Sequence, residues 1–151
     1  PTTRFLVVIG EQPIESDRFF WEKLSPVLTV LPCDSFEQGM SYVERITDLC
    51  GTGHSSGIFT FNDDYIEKMG AYMRSSRIMV RQPMVSGNGG AFFNGMPSTV
   101  TLGCGTWGNN ITTEKIHWKQ FINVTWLAMP IEPNRPTDES IFGAYWERYG
   151  K

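Results

Sequence analysis

No apolar run in these 151 residues approaches the ~18–20 needed to span a bilayer, so a membrane protein built on transmembrane helices is excluded. Basic residues are also scarce, with 13 Lys and Arg against 16 Asp and Glu and a net charge of -3, which argues against binding nucleic acid through its phosphates. Cysteine is limited to Cys33, Cys50 and Cys104. An odd number with no CxxC pair excludes a disulfide framework, and together with the lack of a signal-peptide pattern it points to a reducing, cytoplasmic setting. The two histidines, His54 and His117, have no partners at ligand spacing, so no metal site is expected. What the chain has is the balance of a soluble globular protein, 40% hydrophobic, and an uneven supply of glycine. Seven of the 15 glycines fall between Gly87 and Gly108.

The first half alternates in type. Short apolar runs at 4–9, 27–32, 57–60 and 78–80 read as buried strands. Between them, Ser35 with Gln38 three residues later forms a capping box, followed by Phe36, Met40, Val43 and Ile46 at helical spacing. Asn62 reads as the N-cap of a second helix with Asp63 and Asp64 in its first turn, Ile66, Met69 and Met73 facing inward and Arg74 in the last turn. A weaker helix is expected over Ser16–Leu24. This alternation predicts βαβ crossovers and a parallel sheet, with the Met and aromatic positions as packing.

The second half changes character. From Pro83 to Asn110 the chain is rich in Gly, Asn, Ser and Pro, with Thr99–Leu102 as its one strand-like piece, and a loop region of that length is usually functional. Gln120–Met129 reads as a strand ended by Pro130, and a short amphipathic piece holds Ile141, Phe142, Tyr145 and Trp146. The sheet is undersized and the late strand lacks a local partner, so a piece of a larger fold is expected. Pro1, as a terminal amine, is a remote catalytic candidate.

Gly103, Gly105 and Gly108 spell GxGxxG after a short strand. A dinucleotide fingerprint also needs a helix opening on the last glycine and an acidic residue ~20 positions on, where Ala128 falls, so that reading is rejected. The segment reads instead as a tight loop where backbones approach closely. Cys104, between two glycines, is accessible enough to be a nucleophile, but no neighbour in sequence would activate it. His54 stands behind two glycines at the mouth of a strand, as a structural or a functional residue.

Taken together, Trp21-Glu22-Lys23-Leu24-Ser25-Pro26-Val27-Leu28, Gly53-His54-Ser55-Ser56, Arg77-Ile78-Met79-Val80 and Leu102-Gly103-Cys104-Gly105-Thr106-Trp107-Gly108 occur in an order that resembles the aldehyde dehydrogenases. More narrowly, the chain resembles the CoA-acylating branch, which includes the aldehyde dehydrogenase half of bifunctional aldehyde–alcohol dehydrogenases. The likeness covers about residues 4–128. It implies an α/β fold, the parallel-sheet βαβ portion of the catalytic domain, incomplete without an upstream cofactor domain. It divides the chain into a C-terminal half of the catalytic domain at 1–115, an oligomerisation strand at 116–130 and a tail at 131–151.

The same resemblance implies chemistry. Such enzymes convert an aldehyde, CoA and NAD(P)+ to acyl-CoA and NAD(P)H through a cysteine thiohemiacetal and thioester, and the family's nucleophile would lie upstream of this chain. Glu22 then matches the carboxylate that holds the nicotinamide ribose hydroxyls, and Leu24 the residue beside the nicotinamide. His54 matches the branch's active-site histidine, placed to assist acyl transfer to CoA. Arg81 stands where asparagine is usual; with Phe92, Phe93, Gly103, Cys104 and Gly105 it belongs to the loops at the mouth of the acyl site. The implied cofactor is NAD or NADP with CoA as cosubstrate, and the implied partners are a small aldehyde and further copies of the chain through strand 120–129. Two other readings stay open: a non-acylating aldehyde dehydrogenase that releases the free acid, and a noncatalytic oligomerisation module.

Overall fold

The computed structural model describes residues 2–151, so the terminal amine of Pro1 lies outside the described residues. Contacts divide the chain into two units, Pro1–Phe121 and Ile122–Lys151. The first holds β1 (Leu6–Ile9), β2 (Val27–Val30), α1 (Phe36–Cys50), β3 (Ser56–Ile58), α2 (Asp63–Tyr72), β4 (Ile78–Val80) and α3 (Met84–Gly89). The second holds α4 (Asp138–Tyr149).

The parallel pairing expected from the alternating pattern is present. β1 runs beside β2 with Leu6 opposite Val27, and β3 beside β4 with Ser56 opposite Ile78, as two separate two-stranded sheets. Neighbouring positions on β1 remain open, with Leu6, Val7 and Ile9 all more than half exposed. Successive strand residues face opposite ways, so the face carrying Val7, Ile9, Leu28 and Val30 is uncovered while Val8, Val27 and Thr29 on the other are half-buried, which is unlike a complete parallel sheet.

The helices start where their capping residues indicate. Ser35 Oγ accepts from Gln38 N at 3.1 Å, while Gln38 Oε1 accepts from Asp34 N at 2.6 Å, one residue earlier than a standard capping box. Asn62 Oδ1 accepts from Tyr65 N at 3.4 Å and opens α2, which contributes Met69 to a core that also holds Met73 and Met79. Arg74 lies beyond the last turn of α2, because Met73 is already extended; its guanidinium pairs with Asp48 on α1. α1 is also tied to the first crossover, where Arg45 Nε and Nη2 reach the two carboxylate oxygens of Glu15 at 2.7 and 2.6 Å.

The structure corrects several expectations. No α-helix forms over Ser16–Leu24; two 3-10 turns, Ile14–Ser16 and Arg18–Phe20, stand there instead. Asp17 is the cause. Its carboxylate accepts from Glu11 N at 2.9 Å and Phe19 N at 2.8 Å, holding its own backbone extended and competing with helix propagation. Those two amides also draw its carboxyl below the usual range. The crossover still packs, since Ile14 and Phe20 are buried and Phe20 closes over Gly10, where a Cβ would meet its ring at 2.2 Å.

The 83–110 stretch is not loop throughout, because Pro83, with φ -63, leads into α3. Thr99–Leu102 makes only a single antiparallel bridge, Leu102 to Lys115. Trp118–Phe121 is a 3-10 turn, and residues 123–129 pair with no strand among the described residues. A strand needs a neighbour for its N–H and C=O groups, and this segment has none among the described residues. No helix is long and apolar enough to cross a membrane among the described residues.

Candidate active site

His54 is positioned by the glycine before it. Gly53 has φ +100, a conformation that favours glycine, and a Cβ there would lie 2.7 Å from Cys104 O and 3.0 Å from Gly108 N. Its N–H donates to Arg74 O at 2.8 Å and its carbonyl accepts from Ser76 N at 2.9 Å, which fixes the segment just ahead of β3. Thr52 Oγ1 adds a 2.6 Å bond to Trp107 O. The His54 loop and the Gly103–Gly108 loop, 50 residues apart in sequence, are therefore in backbone contact. The latter loop is equally tight, since a Cβ at Gly103 would meet Thr112 O at 2.1 Å and one at Gly108 would meet Cys104 Cβ at 2.5 Å. The close-approach reading of these glycines holds.

The imidazole of His54 is exposed, and its Nδ1 lies 2.5 Å from Ser55 Oγ. Ser55 Oγ in turn accepts from Asn88 Nδ2 at 2.9 Å, and Asn88 O accepts from Lys115 Nζ at 2.5 Å. Behind the loop Arg77, only 6% exposed, donates from Nη2 to His54 O at 2.8 Å and from Nη1 to Gly103 O at 2.7 Å and Thr113 O at 3.1 Å. One buried guanidinium thus joins both loops. Burial, and then the neighbouring Arg77 charge, push the Lys115 ammonium below its ordinary pKa.

The chain is 59% identical over 142 residues to a sulfoacetaldehyde dehydrogenase of an Acholeplasma species, covering 94% of this chain and 29% of that protein. It is 53% identical over 149 residues to the acylating sulfoacetaldehyde dehydrogenase of Bilophila wadsworthia, covering 99% of this chain and 32% of that protein. A crystal structure of an acetylating aldehyde dehydrogenase from Geobacillus thermoglucosidasius superposes with a TM-score of 0.78 at 26% identity, covering 91% of this chain and 30% of that one. No family model matches. The chain is thus similar over nearly its whole length to aldehyde dehydrogenases. Acylating and acetylating enzymes are among these relatives, and the chain spans about 30% of the length of the curated relatives it matches.

The structure distributes the aldehyde dehydrogenase residues unevenly. His54, Gly103, Cys104 and Gly105 come together, and the Cys104 thiol is free and half-buried. Arg81 does not join them. It follows β4, at the opposite end of the β3–β4 pair from His54, where its Nη1 donates to Thr60 O at 2.9 Å and its guanidinium lies 5.0 Å from the Phe61 ring centre. Phe92 and Phe93 stand in solvent after α3. Glu22 and Leu24 lie just ahead of β2, and Leu24 is 91% exposed with φ +45. Arg81, at φ +54, shares that uncommon backbone region.

Sequence reasoning missed Asn88 and Lys115 and treated Arg77 only as part of a motif. The available signal was a charged residue leading directly into an apolar strand, a position where charge is unusual unless it is paired or hydrogen-bonded. No group of three or more His, Cys, Asp or Glu side chains able to hold a metal ion occurs among the described residues.

Proposed function

We propose that this chain is the C-terminal portion of a CoA-acylating dehydrogenase that oxidises sulfoacetaldehyde to its CoA thioester with NAD or NADP. The observation that carries this reading is the exposed His54 imidazole, pinned by Gly53 against the Gly103–Gly108 loop. The similarity to two sulfoacetaldehyde dehydrogenases supports sulfoacetaldehyde as the substrate. The β1–β2 sheet, open on one face, favours a portion completed by upstream chain that holds the cofactor domain and the nucleophilic cysteine.

His54 would accept the proton of the CoA thiol as it attacks the acyl group, with Ser55 and Asn88 orienting the ring. Glu22 and Leu24 fit the cofactor. The Glu22 carboxylate is exposed and makes no hydrogen bond among the described residues, which suits ribose hydroxyls, and Leu24 presents an apolar side chain for the nicotinamide. When bound, NAD or NADP supplies the hydride acceptor. Arg81, Phe92, Phe93, Gly103, Cys104 and Gly105 would border the route of the aldehyde and CoA. Residues 1–115 would serve as the catalytic portion, 116–130 as the strand joining copies of a cytoplasmic homo-oligomer, and 131–151 as the tail. The apolar, unpaired Trp126, Leu127 and Met129 suit such a joining strand.

The test is an assay of the enzyme that carries this chain, with sulfoacetaldehyde, each nicotinamide cofactor, and CoA present or withheld. CoA-dependent formation of the thioester is expected. Release of free acid without CoA would favour a non-acylating enzyme, and absence of any oxidation would favour a noncatalytic module. Activity of the 151-residue chain by itself would overturn its reading as a portion.

A further inference from the structure

Arg77 and Lys115 are both buried to 6% exposure, and neither has a carboxylate partner among the described residues. Their hydrogen bonds go to neutral carbonyls: Arg77 to those of His54, Gly103 and Thr113, Lys115 to that of Asn88. Two like charges buried without a counter-charge are costly, and an anion between them would remove much of that cost.

Both residues line one cleft of about 420 Å³, a size suited to a small molecule. Ser76, Thr113, His117 and Lys119 line it too. Its one carboxylate, Glu114, accepts from Gln120 Nε2 at 3.1 Å, so three cations face a single acid. Two buried polar atoms on residues of this wall, Ser76 Oγ and Arg77 Nε, have no hydrogen-bond partner among the described residues. Buried donors are nearly always satisfied, and a ligand with several acceptor oxygens would satisfy these.

We propose that this cleft is a seat for a tetrahedral oxyanion, a sulfonate or phosphate group, held by Arg77, Lys115 and Ser76 with Lys119 at the rim. The proposal rests on the acylating reading above, whose reactants offer two such groups: the sulfonate of the aldehyde and the phosphates of CoA. The seat is linked to the reacting region through Asn88, whose main-chain carbonyl accepts from Lys115 and whose side-chain amide donates to Ser55, the hydrogen-bond partner of His54.

The experiment uses the active enzyme and its Lys115→Met variant, which keeps the stem and removes the charge, with Lys119→Gln as a second variant at the rim. Kinetics compare sulfoacetaldehyde with acetaldehyde, and CoA with pantetheine. Thermal unfolding in rising inorganic sulfate gives a readout independent of turnover. If the group is the aldehyde's sulfonate, Lys115→Met lowers the sulfoacetaldehyde-to-acetaldehyde ratio of kcat/KM by about 10- to 100-fold, and Lys119→Gln by less. If it belongs to CoA, the ratio that falls is CoA to pantetheine. In either case sulfate raises the Tm of the parent enzyme and raises that of Lys115→Met less. Unchanged ratios in both comparisons, or no sulfate effect on the parent, overturn the seat. An enzyme that gains Tm with sulfate yet oxidises no aldehyde overturns the functional reading and leaves the seat standing.

Discussion

Arg77 donates to the main-chain carbonyl of His54 at 2.8 Å while its other terminal nitrogen reaches Gly103 O at 2.7 Å. The histidine loop and the glycine loop are thus held by one side chain whose hydrogen bonds all go to main-chain carbonyls. Its role in the site is to position.

Arg77→Met removes all three carbonyl contacts and leaves His54 O, Gly103 O and Thr113 O short of a donor. The expected loss is about 3 kcal/mol of stability, read by urea denaturation. Arg77→Lys recovers only part of it, because an ammonium cannot reproduce the planar fork. Equal stability of Arg77→Lys and the parent would refute the joining role.

Two neighbouring glycines separate strain from crowding. Gly51 and Gly53 have φ +108 and +100, but nothing lies within 4 Å of a Cβ at Gly51. Gly51→Ala is expected to cost about 1 kcal/mol from backbone strain alone. At Gly53 the added methyl also meets the backbone of Cys104 and Gly108, so Gly53→Ala costs at least about 1 kcal/mol more and shifts the His54 imidazole NMR signals.

Under the proposed acylating reading, His54→Ala in the active enzyme is expected to slow transfer of the acyl group to CoA by about 10²- to 10⁴-fold, the usual contribution of a general base. The first burst of NADH in a stopped-flow trace persists at nearly its parent rate. Equal loss in both phases would remove His54 from the transfer step.

The Arg45 guanidinium, hydrogen-bonded to Glu15, pulls that carboxyl down from 4.5 to about 2. A depressed carboxylate stabilises the fold above its unfolded value, and this contribution fades as pH falls from about 4.5 towards 2. A 13C titration of the Glu15 carboxyl should show a midpoint near 2, and Arg45→Gln should return it to the ordinary range. A midpoint left near 2 in Arg45→Gln would assign the shift to the backbone instead.

Local signals were legible where a short segment decides its own conformation. Ser35 and Asn62 cap α1 and α2 through a side chain three residues from its amide partner, and the apolar runs at β1 to β4 pair in parallel. The helix expected over Ser16–Leu24 fails because Asp17 competes for nearby amides, reaching back to Glu11 as well as forward to Phe19. The strand expected at 120–129 lacks a partner among the described residues, and apolar alternation cannot reveal whether one exists in the same chain.

By itself the sequence determined the aldehyde dehydrogenase motifs, the caps, the parallel strands and the need for close backbone approach at Gly53 and Gly103–Gly108. These follow from residue type and near-neighbour spacing, which the chain carries locally. Only the tertiary structure decided that Arg77, rather than Arg81, adjoins His54, and that Asn88 links Lys115 to Ser55, the hydrogen-bond partner of His54. Arg77 and Arg81 differ by the length of β4, so they stand at opposite ends of one strand pair. Lys115 reaches Asn88 from 27 residues away, a meeting set by how the loops close over the strands.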